Sequence, residues 1–230
     1  MNMNDALGRI RYHATHLLEL PRQLAAVPDR MVEHEMFKEV FILQPYLWLV
    51  RDLKPNTIAI DIGACRGETA VYLAMPKEVA MVYAYELVPN SYEVSKANIE
   101  LSPFKDKIKI FNLAISSGEG TVYAPKDSGA AGSRMMENGI PIKSVGLNAV
   151  LEGKRNVIIK CDVEGAEVQI FDGKADLGNV YKIILEYHGK EAKESVTKVL
   201  EGQGFHTESV FLAVQKETGR EMGFIHANRI

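Results

Sequence analysis

Thr57-Ile58-Ala59-Ile60-Asp61-Ile62-Gly63-Ala64-Cys65-Arg66-Gly67 is an apolar run that ends in an acid and breaks into a glycine turn. A short, isoleucine-rich run bounded by turn formers reads as a buried strand. The glycines after it let the backbone approach a ligand and accept positive φ, and a helix is expected to follow to about residue 75. Strand, glycine turn and helix open a βαβ unit, and the same alternation continues downstream. Residues 79–87 read as a second strand, 91–101 as a helix, and 107–115 as a third strand. Residues 156–162 and 180–187 are a fourth and fifth strand, with a helix over 191–201. Residues 205–215 and 221–229 look like two strands joined by a turn at Thr218-Gly219. The order predicts an α/β fold: a doubly wound, Rossmann-like, mostly parallel seven-stranded sheet closed by an antiparallel C-terminal hairpin. Residues 126–143, rich in Gly, Ser and Ala without a period, are expected to form a long loop, with a short helix near 145–151.

Upstream the pattern is helical, with no strand signal. Leu17, Leu18, Leu20 and Leu24 share an apolar face broken by Pro21, and Pro28-Asp29 opens a second segment. There Met31, Met36, Phe37, Val40, Phe41 and Leu43 recur at roughly helical spacing, and Leu47, Trp48 and Val50 follow Pro45. Residues 1–52 are therefore expected to be an N-terminal helical cap, and residues 53–230 the main domain.

Composition bounds the function. With 230 residues, 47% of them hydrophobic and 25% charged, the chain has ordinary globular content and needs no staples. A net charge of −3 gives no basic field to hold a long nucleic acid. Two cysteines, Cys65 and Cys161, are too few for a disulfide framework. No apolar run approaches the ~20 residues of a membrane span, and the first twenty residues lack the apolar middle of a signal peptide. These features lead us to expect a soluble, cytoplasmic protein.

Four strand ends carry the chemistry. Asp61 precedes a turn in which Cys65 stands where a diphosphate-binding loop would have its middle glycine. An acid there repels phosphate and suits a cationic ligand, such as the amino group of a methionine moiety. Glu86 ends the second strand, 25 positions after Asp61. That is near the ~20 expected for the carboxylate that accepts both hydroxyls of a ribose. The fourth strand delivers Asp162 into an acid-rich turn, Asp162-Val163-Glu164-Gly165-Ala166-Glu167, where Glu164 and Glu167 suit a helix start. The fifth strand ends Glu186-Tyr187-His188, and side chains two apart on a strand share a face. Ligands of open α/β sheets bind beyond such carboxyl ends.

Asp61 to Gly67 with Thr69, then Glu86, then Asn112-Leu113-Ala114-Ile115, then Lys160-Cys161-Asp162-Val163-Glu164-Gly165-Ala166-Glu167, resemble the FkbM-type methyltransferases. Those are class I enzymes dependent on S-adenosylmethionine, with members that O-methylate natural products and sugars. The resemblance covers roughly residues 55–190 and is most specific in the Asp-Val-Glu-Gly-Ala-Glu run. It implies that residues 53–230 are a methyltransferase domain in which Gly63, Ala64, Cys65 and Gly67 lie against the cofactor. Glu86, with Leu87 beside it, would bind the ribose, Ala114 and Ile115 would edge the adenine, and Asp162 would face the methionine end. Two positions depart from the family: Cys65 stands where Asn is frequent, and residues 143–150 lack the usual Leu-Asp pair.

The expected reaction is methyl transfer to a hydroxyl of a small-molecule acceptor. The sulfonium carries an activated methyl, so the protein has mainly to align the acceptor and remove its proton. Asp162, Glu186 and His188 are the expected catalytic residues, with His188 as base because the ordinary pKa of a histidine is ~6.5. No metal is demanded; Asp162, Glu186 and His188 could hold one, but no tight His/Asp/Glu spacing recurs. Three other readings compete. An RNA methyltransferase fits the separate N-terminus but not the acidic charge. An NAD-dependent oxidoreductase is opposed by Asp61 and the missing middle glycine. A non-catalytic cofactor-binding protein would use its N-terminal helices as an interaction surface.

Overall fold

The first strand, β1 (Thr57–Ile62), is buried along almost its whole length. A strand covered on both faces reads as an unbroken apolar run, and this one lies in the interior of its sheet. It pairs in parallel with β2 (Val79–Glu86) on one side and β7 (Val157–Cys161) on the other. The computed structural model describes residues 38–126, 135, 138–214 and 219–229. In chain order the remaining elements are α1 (Glu68–Ala74), α2 (Pro89–Glu100), β3 (Ile108–Asn112), β4 (Ala114–Ser116), β5 (Gly120–Ala124) and β6 (Ile140–Gly146). Then come α3 (Leu147–Leu151), α4 (Glu167–Ile170), β8 (Val180–His188), α5 (Lys190–Gly202), β9 (His206–Val214) and β10 (Glu221–Asn228).

The seven-stranded sheet has the order β3-β2-β1-β7-β8-β10-β9. Strand order reverses between β1 and β7, which opens a crevice above their carboxyl ends. Strands β10 and β9 run antiparallel to β8 and to each other. Alternating side chains of β1 serve two cores. Ile60 and Ile62 pack with α3, α4 and α5 through Leu147, Ile170 and Leu200. Ala59 packs with α1 and α2 through Val71, Leu73 and Ile99. The doubly wound sheet and its C-terminal hairpin match the sequence expectation.

Two expectations are corrected. The third strand does not run unbroken over 107–115: β3 ends at Asn112, and β4 leaves to pair in parallel with β6. The expected loop over 126–143 overlaps β6, which with β4 and β5 makes a separate three-stranded sheet. Composition concealed that strand, because only Ile142 and Ser144 of it are buried and it includes Pro141. Proline is tolerated there because β4 reaches only Ser144–Gly146 of β6, leaving one side of Pro141 unpaired. The short helix accordingly starts at Leu147.

Of the cap expected over residues 1–52, residues 1–37 lie outside the described residues. Its visible end is a six-residue π-helical turn (Lys38–Leu43) and a 3-10 turn (Pro45–Trp48). Val40, Phe41, Tyr46 and Leu49 are buried against the α1 side of the sheet, and Phe41 meets Tyr72 edge to face at 5.6 Å. Leu43, expected on the apolar face, is 71% exposed because the π-helical turn shifts the angular spacing. Trp48 stacks on His226 of β10 at 4.6 Å. No described helix is long and apolar enough to cross a membrane.

Candidate active site

Above the carboxyl ends of β1 and β2 the chain is held chiefly through its backbone. Gly63 has φ of 81°, and a Cβ added there would overlap the carbonyl oxygen of Asp162. The Gly63 and Ala64 amides both donate to the Tyr85 carbonyl at 3.0 Å, and Cys65 takes a left-handed conformation at φ 49°. Glu86 ties this loop to β2. Its Oε2 accepts the Cys65 amide at 2.7 Å and its Oε1 the Val88 amide at 2.8 Å. Each oxygen keeps a further lone-pair direction, so the carboxylate can still receive a diol. Burial pushes its carboxyl up to about 7, although the two amides pull the other way. Asn112 donates to the carbonyls of Glu86 and Leu87 at 2.8 and 3.1 Å, which fixes the end of β3 beside them. Ala114 and Ile115 are buried at the start of β4. The Cys65 thiol is pushed up to about 12 by burial and by the Glu68 and Glu86 carboxylates, so it is no nucleophile.

Beneath the loop sits an ion pair. Asp61 and Lys160 are register partners on β1 and β7, with side chains 0% and 2% exposed. Lys160 Nζ lies 3.3 Å from Asp61 Oδ1 and donates to the Gly63 carbonyl at 2.7 Å. Tyr46 presents its ring to the ammonium at 5.7 Å. Burial alone would lower the lysine, but Asp61, Tyr46 and Asp162 hold it well above its ordinary value. Asp61 thus has a cationic neighbour supplied by the protein itself, and Lys160 supports the loop from behind.

Above β7 and β8 the arrangement is made of side chains. The Asp162 amide donates to the Ile62 carbonyl at 3.0 Å, carrying β7 past its last sheet residue. His188 Nδ1 lies 2.8 Å from Oε1 of Glu167, a carboxylate with no exposure. His188 Nε2 lies 3.3 Å from Glu164 Oε2. One ligand atom each of Asp162, Glu164 and His188 falls within 4.8 Å of the others. Burial would lower the imidazole, but the Glu167 hydrogen bond and the Glu164 charge raise it to about 9. The expectation of a histidine near its ordinary value is therefore corrected: the surrounding carboxylates keep this ring charged at neutral pH. Glu186 is raised to about 8, by burial first and by the Asp162 charge second. Glu39, in the described end of the N-terminal segment, is also raised, by burial and then by Asp162.

The fold thus gathers Asp61, Gly63, Ala64, Cys65, Gly67, Glu86 and Leu87 at one end of the crevice. Glu186 and His188 stand at the other, and Asp162, bonded to Ile62 and beside His188, lies between the two. Lys160, Glu164 and Glu167 had no assigned part in that grouping. A signal for Lys160 was available: a lysine inside the buried strand Val-Ile-Ile-Lys-Cys requires a counter-charge. None pointed from Glu167 to His188.

Residues 61–220 match the family model described as the methyltransferase FkbM domain. No curated protein matches the sequence. Two solved structures are similar at a TM-score of 0.50 and 14% identity. One is precorrin-6y C5,15-methyltransferase from Geobacter metallireducens, over 89% of this chain and 94% of that one. The other is M. capricolum TrmK in complex with S-adenosylhomocysteine, over 81% and 68%. At this identity the likeness is one of fold.

Proposed function

The chain belongs to the FkbM methyltransferase family, and from that premise we propose that it moves a methyl group from S-adenosylmethionine to a hydroxyl of a small-molecule acceptor. In this reading the cofactor lies over residues 63–67, with its ribose on the free lone pairs of Glu86 and its adenine against Ala114 and Ile115. Asp162 stands beside the methionine end. The donor set fits such a ligand: a buried carboxylate for a diol, apolar residues for a purine, and Asp162 for a cationic amino-acid end. Bound there, the sulfonium supplies an activated methyl carbon.

The protein's own residues then align the acceptor and receive its proton. The observation that carries the hydroxyl reading is the wall of Asp162, Glu186 and His188 beside the glycine loop. An alcohol must lose a proton as its oxygen is methylated, and a group that titrates near neutral pH serves best. Glu186, at about 8, meets that condition better than His188 at about 9. His188, fixed by Glu167, is positioned to orient the acceptor oxygen.

The test is transfer of labelled methyl from S-adenosylmethionine to a panel of hydroxylated small molecules, with bulk tRNA as a second arm. Glu186→Gln and His188→Ala should each lose at least ~10²-fold in turnover while keeping cofactor affinity. Labelling of tRNA alone would overturn the small-molecule reading, and labelling of amines but not alcohols would overturn the hydroxyl.

A further inference from the structure

The acids beside His188 are arranged as a set of ligands, and we propose that Asp162, Glu164 and His188 bind a divalent cation. Ligand atoms about 2.0–2.4 Å from one ion sit about 3–4.5 Å from each other. The three atoms here lie within 4.8 Å of one another, so they need little movement to share an ion.

His188 is 8% exposed, and its buried Nε2 faces Glu164 Oε2 at 3.3 Å as an ion pair without hydrogen-bond geometry. A cation taken up there replaces the Nε2 proton, which leaves to solvent, and binds the lone pair so freed. The other ring nitrogen is fixed by Glu167, a fully buried carboxylate 2.8 Å away. A carboxylate behind one nitrogen, leaving the other to face the site, is how metal-binding histidines are oriented.

Asp162 and Glu164 bring two carboxylates to the set. Lys160 is committed to Asp61 and the Gly63 carbonyl. One imidazole with two carboxylates favours Mn²⁺ or Zn²⁺, whereas Mg²⁺ and Ca²⁺ prefer all-oxygen sets. Its place between the glycine loop and Glu186 would let the ion hold an acceptor oxygen. That role rests on the methyl-transfer reading, but cation binding does not.

The experiment uses the full chain, stripped with a chelator, with Mn²⁺ titrated by electron paramagnetic resonance in the absence of S-adenosylmethionine. Saturable uptake of one Mn²⁺ per chain is expected, with a rise in the unfolding midpoint. Glu164→Gln alters a residue at the edge of the crevice and should fold normally. It should weaken Mn²⁺ at least tenfold, and His188→Ala should abolish uptake. No saturable uptake, or equal affinity in Glu164→Gln, overturns the site. Methyl transfer by protein that binds no Mn²⁺ would leave the proposed function standing and remove the ion. Mn²⁺ uptake with no transfer to any alcohol would do the reverse.

Discussion

At the carboxyl ends of β1 and β2 the loop is fixed mainly through backbone groups. Gly63, Ala64, Cys65 and Val88 donate amides to Tyr85 and Glu86, and a buried ion pair and the side-chain amides of Asn98 and Asn112 support them. At the ends of β7 and β8 the same crevice is lined by Asp162, Glu164, Glu186 and His188, with Glu167 behind the ring. A backbone-built surface depends on chain path and tolerates most side chains, so one such loop can serve a ligand common to many enzymes. A surface built of side chains changes its chemistry with every substitution. In the proposed reaction the first end takes the cofactor and the second the acceptor.

The sharpest way to break this contrast is at the ion pair. Lys160→Met leaves Asp61 buried without a counter-charge and should cost about 3–5 kcal/mol in denaturant unfolding. Adding Asp61→Asn should restore most of that loss. If the double variant is as unstable as the single one, Lys160 stabilises through packing and not through Asp61.

Next in size is Gly63→Ala. The added Cβ meets the Asp162 carbonyl in a left-handed conformation, and the cost should be about 2–4 kcal/mol. An alanine at Gly165 is the control. It also has positive φ, but a Cβ there meets nothing within 4 Å, so only the conformational part should appear. Equal costs at the two sites would show that the close approach of β1 and β7 gives no extra constraint.

Glu86→Ala should weaken S-adenosylhomocysteine by about 1.5–3 kcal/mol in calorimetry, through lost hydrogen bonds to a charged acceptor. Unchanged affinity would remove the ribose from Glu86. His188→Ala should leave this affinity alone, which separates the two ends of the crevice directly.

The smallest effect is a slope in pH. Glu86 and Glu68 both rise to about 7 from an ordinary 4.5, mainly through burial. The folded state holds these protons longer than the unfolded chain. Stability of the ligand-free protein should therefore fall as pH rises from about 4.5 to 7, and their contribution should level off above that. Each group adds at most about 1.4 kcal/mol per pH unit. Urea unfolding of Glu68→Gln across this range should show a shallower fall than wild type; a parallel curve would mean Glu68 carries no such shift.

Much of the scaffold was legible in local sequence. The strands β1, β2, β7 and β8 are short apolar runs, and the turn after β1 carries its glycines at the positions where the structure bends. Their polar ends fall at the crevice because parallel strands of one sheet end on one side. Elements with a mixed environment were not legible. Residues 107–115 read as one strand because apolar residues persist through Ile115, yet the chain leaves the main sheet at Leu113. Which sheet a strand joins is settled by partners, and the partner of β4 lies beyond a segment rich in Gly, Ser and Ala.

The sequence by itself determined the alternating α/β order, the glycine loop and the acids at the strand ends, since hydrophobic periodicity and turn chemistry act over a few residues. Only the tertiary structure decided which charges face each other. Lys160 reaches the Gly63 carbonyl across 97 positions, and Glu167 reaches His188 across 21. Those pairings follow from the register of β7 between β1 and β8. Burial then turned them into strong interactions, because a charge removed from water depends on the few groups left beside it.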